Sequence, residues 1–162
     1  CGFVPDGGSC GQRLNVPDSS SRGLRLNAAW QPHPKHSLSL HYLYLDTAFD
    51  SAIGTYAFAG DPFPLSPENS ATLSWNFTLT PQVTLTTVAR HQGSSLDGVG
   101  QPYSLPANTV IDWGIQWKVN QNWRIQLNAD NILDEQIETA RDSSGFSIAN
   151  PAALRITIGW NG

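Results

Sequence analysis

Seven stretches of this chain alternate apolar and polar residues with a period of two. They are 21–31 "SRGLRLNAAWQ", 37–47 "SLSLHYLYLDT", 70–80 "SATLSWNFTLT", 83–92 "VTLTTVARHQ", 109–119 "TVIDWGIQWKV", 123–132 "WRIQLNADNI" and 152–160 "AALRITIGW". That period belongs to β-strands with two unlike faces. Each stretch is 9 to 11 residues long, whereas an ordinary globular strand has about 5–6 residues. A tilted strand that crosses a bilayer needs about 9–11. No 3.6-residue period persists anywhere, so no helix is expected, and no run approaches the ~18 apolar residues of a spanning helix.

The apolar face carries Leu24, Leu26, Ala28 and Trp30, then Leu38, Leu40, Tyr42 and Tyr44, then Ala71, Leu73, Trp75, Phe77 and Leu79. It continues through Val83, Leu85, Thr87 and Ala89, through Ile111, Trp113, Ile115 and Trp117, and through Trp123, Ile125, Leu127 and Ala129. Ala152, Leu154, Ile156, Ile158 and Trp160 complete it. The opposite face holds Arg25, Asn27, His41, Arg90, Asp112, Gln116, Lys118, Arg124, Gln126, Asn128, Asp130 and Arg155, among others. Periodicity alone allows two arrangements. One is a curved wall with lipid outside and water or protein inside; the other is a soluble sandwich of two stacked sheets.

The connections favour the wall. "PHPKH", "PQ" and "NQN" are short, while 48–69, 93–108 and 133–151 are long and rich in Gly, Pro, Ser and Asp. Short turns at one end and long loops at the other characterise outer-membrane barrels. The aromatic residues follow the same division. Trp30, Phe77, Trp117, Trp123 and Trp160 fall near the short-turn end, where an interfacial girdle belongs; Trp75 and Trp113 lie nearer mid-strand. Seven strands run alternately, so the first and last are parallel and do not close an antiparallel barrel, which uses an even number. The chain is therefore expected to be part of a larger barrel, starting in an outward loop.

Charged residues make up only 14% of the chain and the net charge is −4. Lys35 and Lys118 are the only lysines. Nothing here suits nucleic acid, which asks for a basic patch. Cys1 and Cys10 bracket the turn-rich "CGFVPDGGSC" and read as a loop-closing disulfide, with two free thiols as the alternative. His33, His36, His41 and His91 do not form a metal-ligand set, and Asp130, Asp134 and Glu135 read as a polar strand end rather than a calcium site. No triad, acid pair or phosphate loop occurs in a supporting context. No enzyme activity, catalytic residue, metal or cofactor is expected.

The segment "DNILDEQIETARDSSGFSIANPAALRITIGW" resembles the last hairpin of TonB-dependent outer-membrane receptors. Asn131, Ile132, Leu133 and Asp134 stand for the family's Asn-Leu-Phe-Asp, Gly145 lies in the loop, and Pro151 leads into the last strand, followed by Ala152 where Arg is usual. "GQRLNVPDSSSRGLRLNAAWQP" is similar to the Gln-Arg-x-Asn and Arg-Gly-x-Glu stretch of these barrels; Gln12, Arg13, Asn15, Arg22 and Gly23 match, and Arg25 replaces Glu. "PFPLSPENSATLSW" resembles the family's Pro-x-x-x-Ala-x-Leu lead into a downward strand. Together these cover nearly the whole chain.

The resemblance implies an all-β, antiparallel transmembrane barrel of about 22 strands, of which residues 1–162 supply the C-terminal portion without the plug or the earlier strands. It implies TonB-energised uptake, across the outer membrane of a Gram-negative bacterium, of a scarce nutrient such as a ferric siderophore or cobalamin. The partners implied are outer-membrane lipid, the TonB complex through the plug, and a small-molecule or metal-chelate cargo. Tyr56, Phe58, Phe63, Tyr103 and Phe146 are candidate cargo contacts in the long loops. Leu154, Ile156, Ile158 and Trp160 resemble the C-terminal signal read by the barrel assembly machinery. Two alternatives remain open at this point: a passive porin-type channel and a soluble β-sandwich binding module.

Overall fold

The computed structural model describes residues 18–52, 58–98 and 103–162. Eleven strands follow in chain order. Seven are the long ones: β1 (Ser19–His33), β2 (His36–Phe49), β3 (Asn69–Thr80), β4 (Val83–Gln92), β7 (Asn108–Lys118), β8 (Trp123–Asp130) and β11 (Ala153–Trp160). The others are short and lie in the long connections: β5 (Ser95–Leu96) with β6 (Ser104–Leu105), and β9 (Glu138–Asp142) with β10 (Gly145–Ile148). The long strands form one antiparallel sheet in the order β1-β2-β3-β4-β7-β8-β11, so each pairs with the next long strand in the chain. β1 and β11 are its two edges. All seven expected strands agree with the sequence reading to within about two residues at each end, the assignment tolerance for strand ends.

Register decides what the sheet can do. Trp30 pairs with Leu38, Leu38 with Trp75, Trp75 with Thr87, Thr87 with Trp113, Trp113 with Ala129, and Ala129 with Leu154. The rows to either side behave alike: Leu40, Leu73, Ala89 and Ile111 are successive partners, as are Phe77, Leu85, Ile115, Leu127 and Ile156. Every apolar face named from the sequence therefore joins one continuous surface. A slip of one residue in any pairing would turn that strand's apolar side inward.

Nothing among the described residues covers this surface. Leu24 and Ile156 are each 64% exposed and Leu154 68%, and no side chain among the described residues is fully buried. Leu40, Trp75, Ile115 and Ile156 lie spread over one side of one sheet, so the stacked-sandwich alternative fails: a sandwich core needs a second inner face about 10 Å away.

Short connections close one end. Thr80 Oγ1 accepts the backbone N–H groups of Gln82 and Val83, and Asn120 Oδ1 accepts those of Asn122 and Trp123. Side-chain oxygens thus satisfy turn amides that a two- to four-residue link leaves unpaired. Gly23 shows how close β1 and β2 lie on the inner side, because a Cβ there would approach the Tyr44 carbonyl oxygen to 2.7 Å.

β8 stops at Asp130, two residues before the end of the stretch 123–132 and within the tolerance of the sequence reading. Asn131 turns the chain with a φ of 50°, in the left-handed region that Asn tolerates better than other non-glycine residues.

Candidate functional site

The polar side of the sheet and the loops at its long-connection end form the candidate functional surface. The buried residues gather there. Thr47 and Phe49 top β2 and Val110 starts β7, all on the inward face, while Leu105 and Asn131 belong to the loops. The loop after β2 folds inward over the rim: Phe63 packs its ring 4.9 Å from that of Phe49, and its backbone N–H donates to Thr47 Oγ1 at 3.1 Å. Neighbouring loops are tied laterally, since Leu65 N–H donates to the Leu96 carbonyl at 2.7 Å and Gly93 N–H to the Asn69 carbonyl at 2.8 Å. Thr72, Arg90, Gln92, Asn108, Val110 and Ile137 line a cavity of about 400 Å³ at this rim. It joins polar wall residues of β3, β4 and β7 to Ile137 of the last loop.

Below the rim, charged groups pair across strands. Arg90 Nη1 lies 2.6 Å from Asp112 Oδ2, and Arg155 Nη2 lies 3.2 Å from Asp130 Oδ2. Asp112 Oδ1 also accepts the Asn131 N–H at 2.9 Å. The Asn131 side chain spans its own turn, donating to the Glu135 carbonyl and accepting the Glu135 N–H. Asp134, with a φ of 51°, accepts the Ala152 N–H at 2.9 Å through Oδ1. The two polar ends of Asn-Ile-Leu-Asp thus have separate structural tasks. Asn131 anchors the last loop to the wall through Asp112, and Asp134 fixes where the chain re-enters the sheet. Asp112 and Asp130, Lys118 and Arg124 read from sequence as pairing either across the wall or with a plug; Asp112 and Asp130 pair across the wall, and Lys118 and Arg124 have no ion-pair partner among the described residues.

The β9–β10 hairpin projects from the last loop. Arg141 makes two hydrogen bonds to Glu138, at 2.7 and 2.6 Å, and stacks over Phe146 at 5.7 Å. The guanidinium holds the Glu138 carboxyl below its ordinary range, and the carboxylate raises the Arg141 guanidinium in turn. At the hairpin tip the Ser144 hydroxyl and the N–H groups of Ser144 and Gly145 hold Asp142 low.

Among the described residues, the candidate cargo aromatics do not stack on one another. Phe63 is committed to Phe49. Phe58 is 65% exposed beside Asp61, whose carboxylate accepts its N–H. Phe146 is exposed on the hairpin, and the Tyr103 carbonyl accepts the Asp97 N–H next to the β5–β6 pair. Tyr56, Cys1 and Cys10 lie outside the described residues, as do Gln12, Arg13 and Asn15. Leu154, Ile156, Ile158 and Trp160 all face outward on the edge strand β11. Sequence reasoning missed Arg90 and Asn131 as a linked pair, because only the register brings β4, β7 and the end of β8 together around Asp112.

On the lipid-side face at the short-turn end, His36 stacks on Phe77 at 4.5 Å and accepts the Trp75 indole N–H at 3.1 Å through Nδ1. Trp75, read from sequence as a lipid-facing or core residue nearer mid-strand, faces outward and joins this aromatic cluster. His41 bonds Asn27 on the inner face and His91 bonds Thr109, so the four histidines remain apart as functional groups, save for the edge contact of His33 with His36.

A family model described as TonB-dependent receptor-like β-barrel matches residues 2–132. No curated protein matches the chain. Among solved structures, the siderophore receptor PiuA from Acinetobacter baumannii is similar, at 22% identity and a TM-score of 0.74, covering 88% of this chain and 22% of that one. The closed form of the ferric-catecholate import receptor Fiu from Escherichia coli K12 is 21% identical with a TM-score of 0.75, covering 88% and 21%. The ferric yersiniabactin uptake receptor FyuA from Yersinia pestis is 16% identical with a TM-score of 0.78, covering 88% and 23%. At these identities the likeness is one of fold. The chain spans about a fifth of the length of each of these structures.

Proposed function

We propose, on the premise that this chain belongs to the TonB-dependent receptor β-barrel family, that it forms the C-terminal barrel wall and outer loops of a receptor for energised nutrient uptake. The family's members are outer-membrane proteins of Gram-negative bacteria. Residues 1–162 are read as one portion of that barrel, with a plug and the remaining strands supplied by the rest of the receptor. The cargo is a metal chelate or a similarly scarce solute, such as a ferric siderophore or cobalamin. TonB acts through the plug.

One observation carries this reading. The register unites the outward residues of all seven long strands into one uncovered apolar surface, and the loops at the opposite rim fold inward over a polar wall. Lipid outside and a solute path inside suit that division. The exposed Phe58 and Phe146, with Arg90 at the rim cavity, are the described residues best placed to meet cargo. Tyr56 and Tyr103 are assigned the same role from their loops. The outward row of Leu154, Ile156, Ile158 and Trp160 on an open edge supports recognition of β11 by the assembly machinery through strand addition.

Uptake of radiolabelled iron chelates by cells with and without the full receptor tests the proposal. Receptor-dependent uptake that stops on removal of TonB, or on dissipation of the proton gradient, is expected. Receptor-dependent uptake that persists without either would favour the passive-channel alternative.

A further inference from the structure

The β1–β2 turn, His33-Pro34-Lys35-His36, lies at the short-turn end of the sheet. His33 and His36 are direct partners across the β1–β2 ladder. The His36 ring is on the outward face, stacked on Phe77 and parallel to Trp75 at 5.8 Å, and the His33 ring meets its edge at 6.0 Å. Trp30, 66% exposed, belongs to the same face. An imidazole on a face that meets hydrocarbon needs polar partners.

The hydrogen bonds decide which partner these rings can take. His36 Nδ1 accepts the Trp75 indole N–H at 3.1 Å, and His33 Nδ1 accepts the Lys35 backbone N–H at 3.2 Å. A ring nitrogen that accepts carries no proton, so in each ring the proton sits on Nε2. Neither Nε2–H has an acceptor among the described residues, and the Lys35 ammonium has no ion-pair partner there. The side chains of this turn therefore offer donors and no free acceptor.

No carboxylate of the wall can answer them. β1 and β3, which flank β2, contain no Asp or Glu. The nearest carboxylate along β2 is Asp46, ten residues from His36, or roughly 34 Å at ~3.4 Å per residue. Every acidic residue among the described ones lies at the long-connection end or in the half of a strand nearest to it. A cationic, donor-only turn thus borders an outward aromatic strip, and that division suits an amphiphile with an anionic head.

We propose that His33, Lys35 and His36 bind the phosphodiester of a membrane phospholipid, in the leaflet at the short-turn side, with its acyl chains along Trp30, Trp75 and Phe77. A phosphodiester carries one negative charge and only accepts hydrogen bonds, so it complements a site that only donates, and each bond to it is charge-assisted. The Trp75 indole N–H, already held by His36, leaves that ring free to lie against hydrocarbon with no unpaired polar group. The inference rests on the outward face meeting lipid and is independent of the cargo.

The test uses the full receptor in detergent micelles containing phosphatidylglycerol, or an equal amount of a phosphate-free galactosyl diacylglycerol with the same acyl chains. Native mass spectrometry counts the lipids retained, and heat-modifiable mobility on gels reports that the barrel is folded. H33F/K35M/H36F removes the donors and keeps rings and stem; K35R preserves charge. Phosphatidylglycerol retention is expected to fall roughly tenfold in the triple variant, equivalent to about 1.4 kcal/mol, and to persist in K35R. Unchanged retention in a folded triple variant overturns the proposal, as does equal retention of the phosphate-free lipid by the unsubstituted receptor. Displacement of the lipid by excess inorganic phosphate would assign the site to a free anion and overturn the lipid source. If the triple variant does not fold, K35M alone, at an exposed turn residue, answers instead: retention is expected to fall several-fold, and unchanged retention overturns the proposal. A receptor that does not enter micelles or lipid at all would overturn the membrane reading itself, an outcome distinct from an inserted receptor with no preference for phosphate.

Discussion

Trp123 and Trp160 stand directly opposite one another across the β8–β11 ladder, on the outward face beside the short turns. Such rings keep their apolar bodies in hydrocarbon and their indole N–H groups at the polar interface. The pair should therefore be coupled only when the sheet is in a membrane. A double-mutant cycle on W123A and W160A in the full receptor, refolded into vesicles, is expected to give a coupling of about 0.2–1 kcal/mol, the range for cross-strand side-chain pairs. Additive effects would mean that the two rings do not share an interface.

Neighbouring residues on one strand should respond oppositely to charge. Ile115 faces outward and Gln116 inward. Ile115→Arg is expected to destabilise the refolded barrel by about 2–4 kcal/mol if it sits near the bilayer midplane, whereas Gln116→Arg faces water or protein and should cost under ~1 kcal/mol. Denaturant titration in lipid vesicles measures both. Equal costs would contradict the facing of β7.

These faces were legible in the sequence because a period of two over 9 to 11 residues has only one reading within a strand, and because register joins faces of the same character. The two small hairpins were not legible. β5–β6 and β9–β10 are two to five residues per strand, too short for alternation to rise above loop composition. β8 ends at Asp130, two residues inside the stretch read from sequence, where Asn131 and Ile132 invert the alternation and Asn131 takes up a left-handed turn. Phe63 read from sequence as a loop aromatic suited either to packing or to a ligand, and the Phe49 ring it packs against was not legible because only the fold brings residues 49 and 63 together. The Arg90–Asp112–Asn131 linkage joins residues up to 41 positions apart and exists only through the pairing of β4 with β7.

Asn131 is 4% exposed, and its side chain makes two hydrogen bonds to the Glu135 backbone. Asn131→Ala removes both and places a residue less tolerant of positive φ at the turn. A loss of about 1–3 kcal/mol is expected, concentrated in the last loop. Hydrogen exchange should show residues 131–152 opening while β7 stays protected. Unchanged protection of that loop would show that the Asn131 side chain does not hold it.

The β9–β10 hairpin should respond to acid in a defined window. Glu138 and Asp142 both have depressed folded-state pKa values, through Arg141 and through Ser144 respectively. Depressed carboxylates contribute stability that is present above their unfolded values, about 4, and lost as pH falls through the lower folded ones. Protection factors of the hairpin amides are expected to be flat from about pH 7 to 5 and to fall only below about 4. In E138Q/D142N that acid-side fall should shrink. A transition near neutral pH would assign the hairpin's stability to other groups.

The central claim is that the apolar side of the sheet meets hydrocarbon. A nitroxide scan along β11, residues 153–160, in the full receptor reconstituted in lipid tests it most directly. Oxygen should collide preferentially with labels at 154, 156, 158 and 160, and a polar paramagnetic agent or the receptor's interior should dominate at 153, 155, 157 and 159, giving a period of two. If 154, 156 and 158 are shielded from oxygen, or the scan shows no alternation, that face is covered by protein and the membrane assignment is wrong.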